Sequence, residues 1–309
     1  MPPTLSIIIT NYNYTDRLPR LFENIMSQTI SDYEVVLVDD CSDISCDSVV
    51  EEWRNKGLPI SLHKNKIRQY TKDTRLNGVE AARGELITFI DADDLFYKQK
   101  ALEYHVNKSL DLGVDILHFS ALHYEDGRIS KDPFVWTQPI GEHLSGSAIF
   151  RKYVAERLNG HTIWGKIVTQ DLWQRCLEPA RSSSVRRYCE DLALCSLLFF
   201  HAKSYFGSSR LGYTREWIDR VAQKSFGRSI TYYTLMSEFI PYVRKHGADA
   251  ITCRALKEIF LYSIKKYTLM NIEYQRSKGY EEISDELLSE MLEHGSMEKI
   301  IRTLITGLL

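Results

Sequence analysis

Two aliphatic runs of this chain end in carboxylates: Glu34-Val35-Val36-Leu37-Val38 leads into Asp39-Asp40, and Leu86-Ile87-Thr88-Phe89-Ile90 leads into Asp91-Ala92-Asp93-Asp94. A near-continuous run of aliphatic and β-branched residues suits a parallel strand covered on both faces, and in such sheets ligands collect beyond the carboxyl ends of the strands. Acids crowded at such an end repel one another, so a divalent cation or a hydrogen-bond network must offset their charge. Hard oxygen ligands suit magnesium or manganese. The pattern points to a metal and diphosphate site.

The order of segments supports this class. Up to about residue 120, strand-like and helix-like stretches alternate, the signature of βαβ units. A strand at Leu5–Thr10 precedes a helix over 17–26, where Leu18, Leu21, Phe22 and Ile25 fall at helical spacing. The strand ending at Asp39 is followed by a helix carrying Val49, Val50 and Trp53 on one face, then a short strand over 60–63 and a helix over 75–82. After the Leu86–Ile90 strand come a helix over 101–112 and a strand over 114–119. The pattern loosens from Ser120 to Arg187, with turn signals at Asp126-Gly127 and Asp132-Pro133 and helices expected over 149–158 and 171–176. Glu190–His201 is apolar on every side and reads as a buried helix with an acidic start. From Ser229 onward only helices are expected, over 232–245, 251–274, 283–292 and 297–308. The expected fold is therefore α/β, a mostly parallel sheet flanked by helices, with residues 1–215 as one unit (1–120 and 121–215 its halves) and a helical region over 216–309.

The bulk numbers exclude other classes. A formal charge of −2 and the lack of a basic run give no general attraction to nucleic acid. Six scattered cysteines without a C-x-x-C pair fit reduced thiols in a cytoplasmic protein. The amino terminus lacks the features of a secretory signal, and the longest apolar stretch, Leu192–Phe200, is far short of the roughly 20 residues that span a bilayer. Near the carboxyl end, Ile300, Ile301, Leu304, Ile305 and Leu308 form an apolar face beside Lys299 and Arg302. Such a face packs on its own domain, on a second copy in a homo-oligomer, or peripherally on an anionic membrane.

Four ordered motifs carry a resemblance: Ser6-Ile7-Ile8-Ile9-Thr10-Asn11-Tyr12-Asn13; Val36-Leu37-Val38-Asp39-Asp40-Cys41-Ser42; Ala82-Arg83-Gly84-Glu85; and Phe89-Ile90-Asp91-Ala92-Asp93-Asp94. With this set the chain resembles a family 2 glycosyltransferase of the GT-A fold over its first 120 residues, and more loosely from Trp164 to Asp191. The resemblance implies that Thr10 and Tyr12 wall the nucleotide pocket and that Asp39 binds the base or ribose. Arg75, ahead of Gly78, would close over the nucleotide, although Leu76 stands where the family has Asn and Cys41 where it commonly has Gly. Asp91 and Asp93 match the ends of the Asp-x-Asp motif, with Asp93 touching the metal. It also implies an acceptor side at Trp164, Lys166 and Glu190, and a catalytic base at Asp191, which helical periodicity cannot distinguish from Glu190.

The chemistry asks for these residue types. A sugar nucleotide leaves as a diphosphate, and a cation held by one or two carboxylates stabilises that charge. An acceptor hydroxyl needs a positioned base, and one on the far side of the anomeric carbon gives inversion. The expectation is an inverting, magnesium- or manganese-dependent transferase moving sugar from a nucleotide-sugar donor, a uridine one, to a glycan or glycolipid in cell-surface polysaccharide synthesis. A non-catalytic nucleotide-binding module is the alternative. A haloacid dehalogenase-type phosphotransferase fits less well, because its Asp-x-Asp closes the first strand; a Rossmann dehydrogenase fails because no G-x-G-x-x-G follows the first strand. Acids after strands also serve as helix caps and turn residues, a role that suits Asp43 and Asp94.

Overall fold

The computed structural model describes residues 1–125, 128–129, 138–186, 188–216 and 225–277. The helices expected over 283–292 and 297–308, the apolar face with them, and the turns at Asp126-Gly127 and Asp132-Pro133 lie outside the described residues.

The first half alternates as its periodicity requires: β1 (Leu5–Asn11), α1 (Leu18–Met26), β2 (Tyr33–Asp39), α2 (Asp47–Asn55), β3 (Ile60–Lys64), α3 (Tyr70–Ala81), β4 (Leu86–Asp91), β5 (Leu95–Phe96) and α4 (Ala101–Leu112). The apolar stripe of α1 is buried, and its Phe22 meets Trp53 of α2 edge to face. Helix α3 begins five residues before its expected start at Arg75. Its first turn is secured from outside, by Asp40, whose Oδ1 accepts from Gln69 N–H (2.7 Å) and Oδ2 from Tyr70 N–H (2.8 Å). A cap supplied from 29 positions away leaves no local signal.

Then follow β6 (Ile116–Glu125), β7 (Arg128–Ile129), β8 (His143–Ser145), α5 (Ser147–Ala155), β9 (Lys166–Thr169), α6 (Gln170–Ser182), α7 (Glu190–His201), β10 (Ser204–Glu216), α8 (Ser225–Lys245) and α9 (Ala250–Ser277). Strands β7 to β10 fall where no strand was expected. In β10, register shifts at Ser208/Leu211 and Leu211/Tyr213 break the alternation that would have marked it. Helices α8 and α9 pack together, with Tyr232 stacked on Tyr267.

One sheet runs β3-β2-β1-β4-β9-β6-β10-β5. The stretch β3-β2-β1-β4 is parallel throughout; β9 enters antiparallel to both β4 and β6, and β6 pairs parallel with β10. Chain order places β2 and β3 on one side of β1 and β4 on the other, so the strand order reverses between β1 and β4. The carboxyl ends of those strands, where Thr10 faces Asp91 in register, are the crevice in which open α/β sheets bind ligands.

Two close approaches hold the parallel half together. A Cβ on Gly78 would lie 2.5 Å from Ile8 Cγ2, so α3 sits this near β1 only with glycine there. At the amino ends of the strands, Glu34 accepts from Ser6 Oγ (2.7 Å), Arg83 N (2.7 Å), Arg83 Nε (2.8 Å) and Arg83 Nη2 (2.6 Å), while Gly84 N donates to Ser6 Oγ (2.8 Å). The Ala-Arg-Gly-Glu motif is thus a latch at the end of the sheet away from the crevice.

Burial alone would raise the Glu34 carboxyl, but the hydrogen bonds from Ser6 and Arg83 outweigh it and hold it below its ordinary value. Its contribution to stability is therefore complete above the unfolded glutamate pKa of about 4.3 and fades as pH falls below that. The stability gap between wild type and Glu34→Gln should be widest at neutral pH and shrink between about pH 5 and 3, read by urea unfolding across that range. A gap indifferent to pH would mean that the latch does not hold an ionised Glu34.

Candidate active site

A cavity of about 710 Å³ opens at the β1/β4 crevice. Its walls come from the end of β1 and the residue after it (Thr10, Tyr12), the turn after β2 (Asp40), the start of α3 with the segment before it, the end of β4 and the turn after it (Asp91, Asp93), and residues 188–189 with Glu190 at the start of α7; α8 adds Arg228.

At its centre lies a buried ion cluster. Arg75, 3% exposed, donates from Nη2 to Asp91 Oδ1 (3.0 Å) and from Nη1 to Glu190 Oε1 (3.2 Å) and to Asp191 Oδ1. Burial by itself would lower the guanidinium's pKa, but Asp191, Asp91 and Glu190 outweigh it and the net shift is upward. One cation faces three carboxylates, and the excess appears in Glu190: burial and then Asp191 push its pKa up to about 7, against the pull of Arg75. Arg75 therefore ties the end of β4 to the start of α7, where the expectation had it closing over a nucleotide.

The strand-end acids divide by their hydrogen bonds. Asp39 accepts from Asn11 Nδ2 (2.6 Å), Ser42 Oγ (2.6 Å) and Ser42 N (3.1 Å), and it stands behind the cavity wall. Its neighbour Asp40 lines the cavity instead, with both oxygens engaged at the cap of α3 and with Asn65. Cys41 between them and Ser42 has φ of 62°, a left-handed conformation that explains why glycine suits this turn. Asp94 is buried and accepts from Tyr213 Oη (2.6 Å) and Glu216 N (2.8 Å). Burial and then Asp91 and Asp93 raise it well above the usual carboxylate range.

Asp93 differs. It lines the cavity without a hydrogen bond or ion pair to the side chain of another described residue; burial followed by the charge of Asp91 raises its pKa, and its own backbone N–H and the charge of Arg215 offset this only in part. The second oxygen of Asp91 is likewise unengaged there. Two neighbouring carboxylates with unengaged oxygens are a donor set for a hard divalent cation bound jointly with phosphate oxygens. Among the described residues no group of three or more His, Cys, Asp or Glu could hold a metal unaided.

Thr10 and Tyr12 lie on the cavity wall. Trp164 and Lys166 do not: they are 2% and 1% exposed. Trp164 stacks on Tyr213 with ring centres 4.5 Å apart, and Lys166 donates to Thr162 O (2.5 Å). Their acceptor-side expectation is corrected to a core role, because side chains this covered offer no surface to an acceptor. Glu190 faces the cavity, whereas Asp191 does not line it. The sequence reading missed Asp40, Arg68, Tyr70, Tyr188, Cys189 and Arg228 on the wall. Tyr188 and Cys189 both have positive φ, 55° and 53°, a backbone feature without a composition signal.

The model of glycosyl transferase family 2 matches residues 6–164, just over half of the chain. The protein belongs to this family. Among relatives, a Campylobacter jejuni GalNAc(5)-diNAcBac-PP-undecaprenol beta-1,3-glucosyltransferase is 29% identical over 171 residues, 50% of this chain and 53% of that enzyme. Two other glycosyltransferases are matched over only 31% and 30% of their length. Among solved structures, S. aureus TarS (residues 1–349) in complex with UDP-GlcNAc superposes with a TM-score of 0.57 at 16% identity, covering 90% of this chain and 75% of that one. The mannosyltransferase PcManGT from Pyrobaculum calidifontis, in complex with GDP-Man and Mn2+, does so with a TM-score of 0.58 at 14% identity, covering 99% and 86%. The fold of this family 2 glycosyltransferase is thus GT-A-like, a central sheet flanked by helices with further helices toward the carboxyl end.

Removing Arg75 would leave Asp91, Glu190 and Asp191 facing one another. Arg75→Ala should destabilise the protein by about 3–5 kcal/mol in urea unfolding, the cost of stranding buried charge. A loss below about 1 kcal/mol, the range of surface pairs, would show that the cluster does not organise the fold here.

Proposed function

We propose that the protein is an inverting glycosyltransferase that moves a sugar from a nucleotide-diphosphate donor, a UDP-sugar, to a hydroxyl of a glycan or lipid-linked glycan in polysaccharide synthesis. The observation that carries the reading is the carboxylate of Asp93, engaged by no other side chain among the described residues, beside Asp91 at the β1/β4 crevice, with Glu190 on the wall of the same cavity. The TarS complex with UDP-GlcNAc supports a uridine donor, and the name of the Campylobacter relative supports a lipid-linked acceptor.

Tyr12, whose ring carries the Arg68 guanidinium 3.8 Å from its centre, and Thr10 beside it would wall the nucleobase. Asp93 with the unengaged oxygen of Asp91 would hold a magnesium or manganese ion, whose charge stabilises the diphosphate as it leaves; the Mn2+ complex of PcManGT supports this. The acceptor hydroxyl gives its proton to a carboxylate of the Glu190–Asp191 pair as its oxygen bonds to the anomeric carbon. The bond from that carbon to the diphosphate oxygen breaks on the opposite face, inverting the centre. Arg75 fixes both carboxylates relative to Asp91, so the base and the leaving-group site keep their separation.

Asp191 is the base that resemblance assigns, and Glu190 is the competing choice because it reaches the cavity and titrates near neutrality. The work would be done in the cytoplasm, at the inner face of the membrane where the acceptor is lipid-linked. The six free cysteines support a reducing compartment. Among the described residues no helix is long and apolar enough to cross a membrane.

A thermal-shift panel of UDP, GDP, CMP and dTDP with and without manganese should show stabilisation by UDP that requires the metal. Asp93→Ala should abolish that metal dependence and lower transfer by at least about 100-fold; near-normal turnover would end the assignment. Of Asp191→Asn and Glu190→Gln, the one that keeps donor binding while losing transfer by roughly 10²–10⁴ removes the base. If both retain transfer, neither carboxylate takes the proton.

A further inference from the structure

Three arginines reach the cavity wall, Arg68, Arg75 and Arg228. Arg75 is committed to Asp91, Glu190 and Asp191. The other two have no acidic partner among the described residues and rest on aromatic faces. Arg68, exposed on the segment between β3 and α3, holds its guanidinium 3.8 Å from the centre of the Tyr12 ring and 5.0 Å from that of Tyr70. Arg228, half-buried in the first turns of α8, lies 5.5 Å from the Tyr267 ring. Such contacts hold an exposed guanidinium weakly, whereas a phosphate offers charge-assisted hydrogen bonds that match its planar fork.

The charge around them gives these arginines a task. Asp91, Asp93 and Glu190 share the wall, so a donor bearing a diphosphate would enter against like charge with Arg75 already spent. The segment that carries Arg68 is anchored at its end: Tyr70, at φ of 63°, is a non-glycine residue in the left-handed region, held there by its N–H on Asp40. The backbone beside Arg68 is anchored, whereas its exposed side chain is held among the described residues by aromatic contacts and no ion pair. Vacating that ring would open the face on which a nucleobase stacks and release a cation next to it.

We propose that Arg68 and Arg228 together grip the diphosphate of the donor, which makes α8 part of the donor site and not an accessory to it. The inference rests on the nucleotide-diphosphate reading above, and its test separates the two. The full chain and its variants Arg68→Ala, Arg228→Ala, Arg68→Lys and Arg228→Lys are titrated calorimetrically with uridine, UMP and UDP in the presence of manganese. Wild type should prefer UDP over UMP. Each alanine variant should narrow that preference about tenfold, with uridine binding unchanged within about twofold and part of the preference restored by lysine. If wild type prefers UDP and both alanine variants keep the preference within about twofold, the two arginines do not touch the diphosphate and this inference falls while the donor reading stands. If wild type binds none of the three ligands, the uridine-diphosphate reading falls and this inference with it.

Discussion

The site is organised by one buried guanidinium among three carboxylates. Burying the guanidinium and half-burying the three carboxylates costs free energy that the attraction between them offsets only where the geometry is good. Here the geometry is set by packing. Gly78 lets α3 lie against Ile8 of β1, and Asp40 caps the first turn of α3, so the helix presents Arg75 at a fixed height over the crevice. Arg75 in turn draws the start of α7 to the end of β4. The two carboxylates proposed above to take the acceptor proton are therefore positioned by the same residue that engages Asp91.

The parallel strands are used at both ends, for different purposes. At the amino ends Ser6, Glu34, Arg83 and Gly84 make a latch whose hydrogen bonds are all internal. At the carboxyl ends the acids gather where the strand order reverses. Motifs that lie close together in the sequence, Ala82-Arg83-Gly84-Glu85 and Asp91-Ala92-Asp93-Asp94, are thus separated by the length of β4, one serving stability and the other facing the cavity.

What the sequence made legible follows from how local each signal was. Helices α1, α4 and α7 stand within a residue of their expected bounds, because each is specified by its own apolar pattern and its own ends. The start of α3 was misplaced because its cap comes from Asp40, across the sheet end. Strands β9 and β10 were missed for opposite reasons: β9 is four residues long, and β10 is long but bulged. For the site, the Asp91–Asp94 cluster was visible as acids closing a greasy run. The partners of Arg75, the burial of Trp164 and Lys166, and the arrival of Arg228 depend on contacts between distant segments that no spacing encodes.

Position at a strand end does not by itself distinguish a functional acid from a structural one; the donors around it do. Asp39 and Asp40 have both oxygens occupied by amides, hydroxyls and backbone N–H groups, and Asp94 by Tyr213 and the backbone of Glu216. Each is a carboxylate the protein has already satisfied, which makes it a good hinge for a turn or a cap and a poor ligand for anything arriving from solvent. Asp93 is set apart by what it lacks. Partly buried beside Asp91 and given no side-chain donor by the other described residues, it bears a cost that its own backbone N–H and the charge of Arg215 offset only in part, and such a group is where a bound cation gains most.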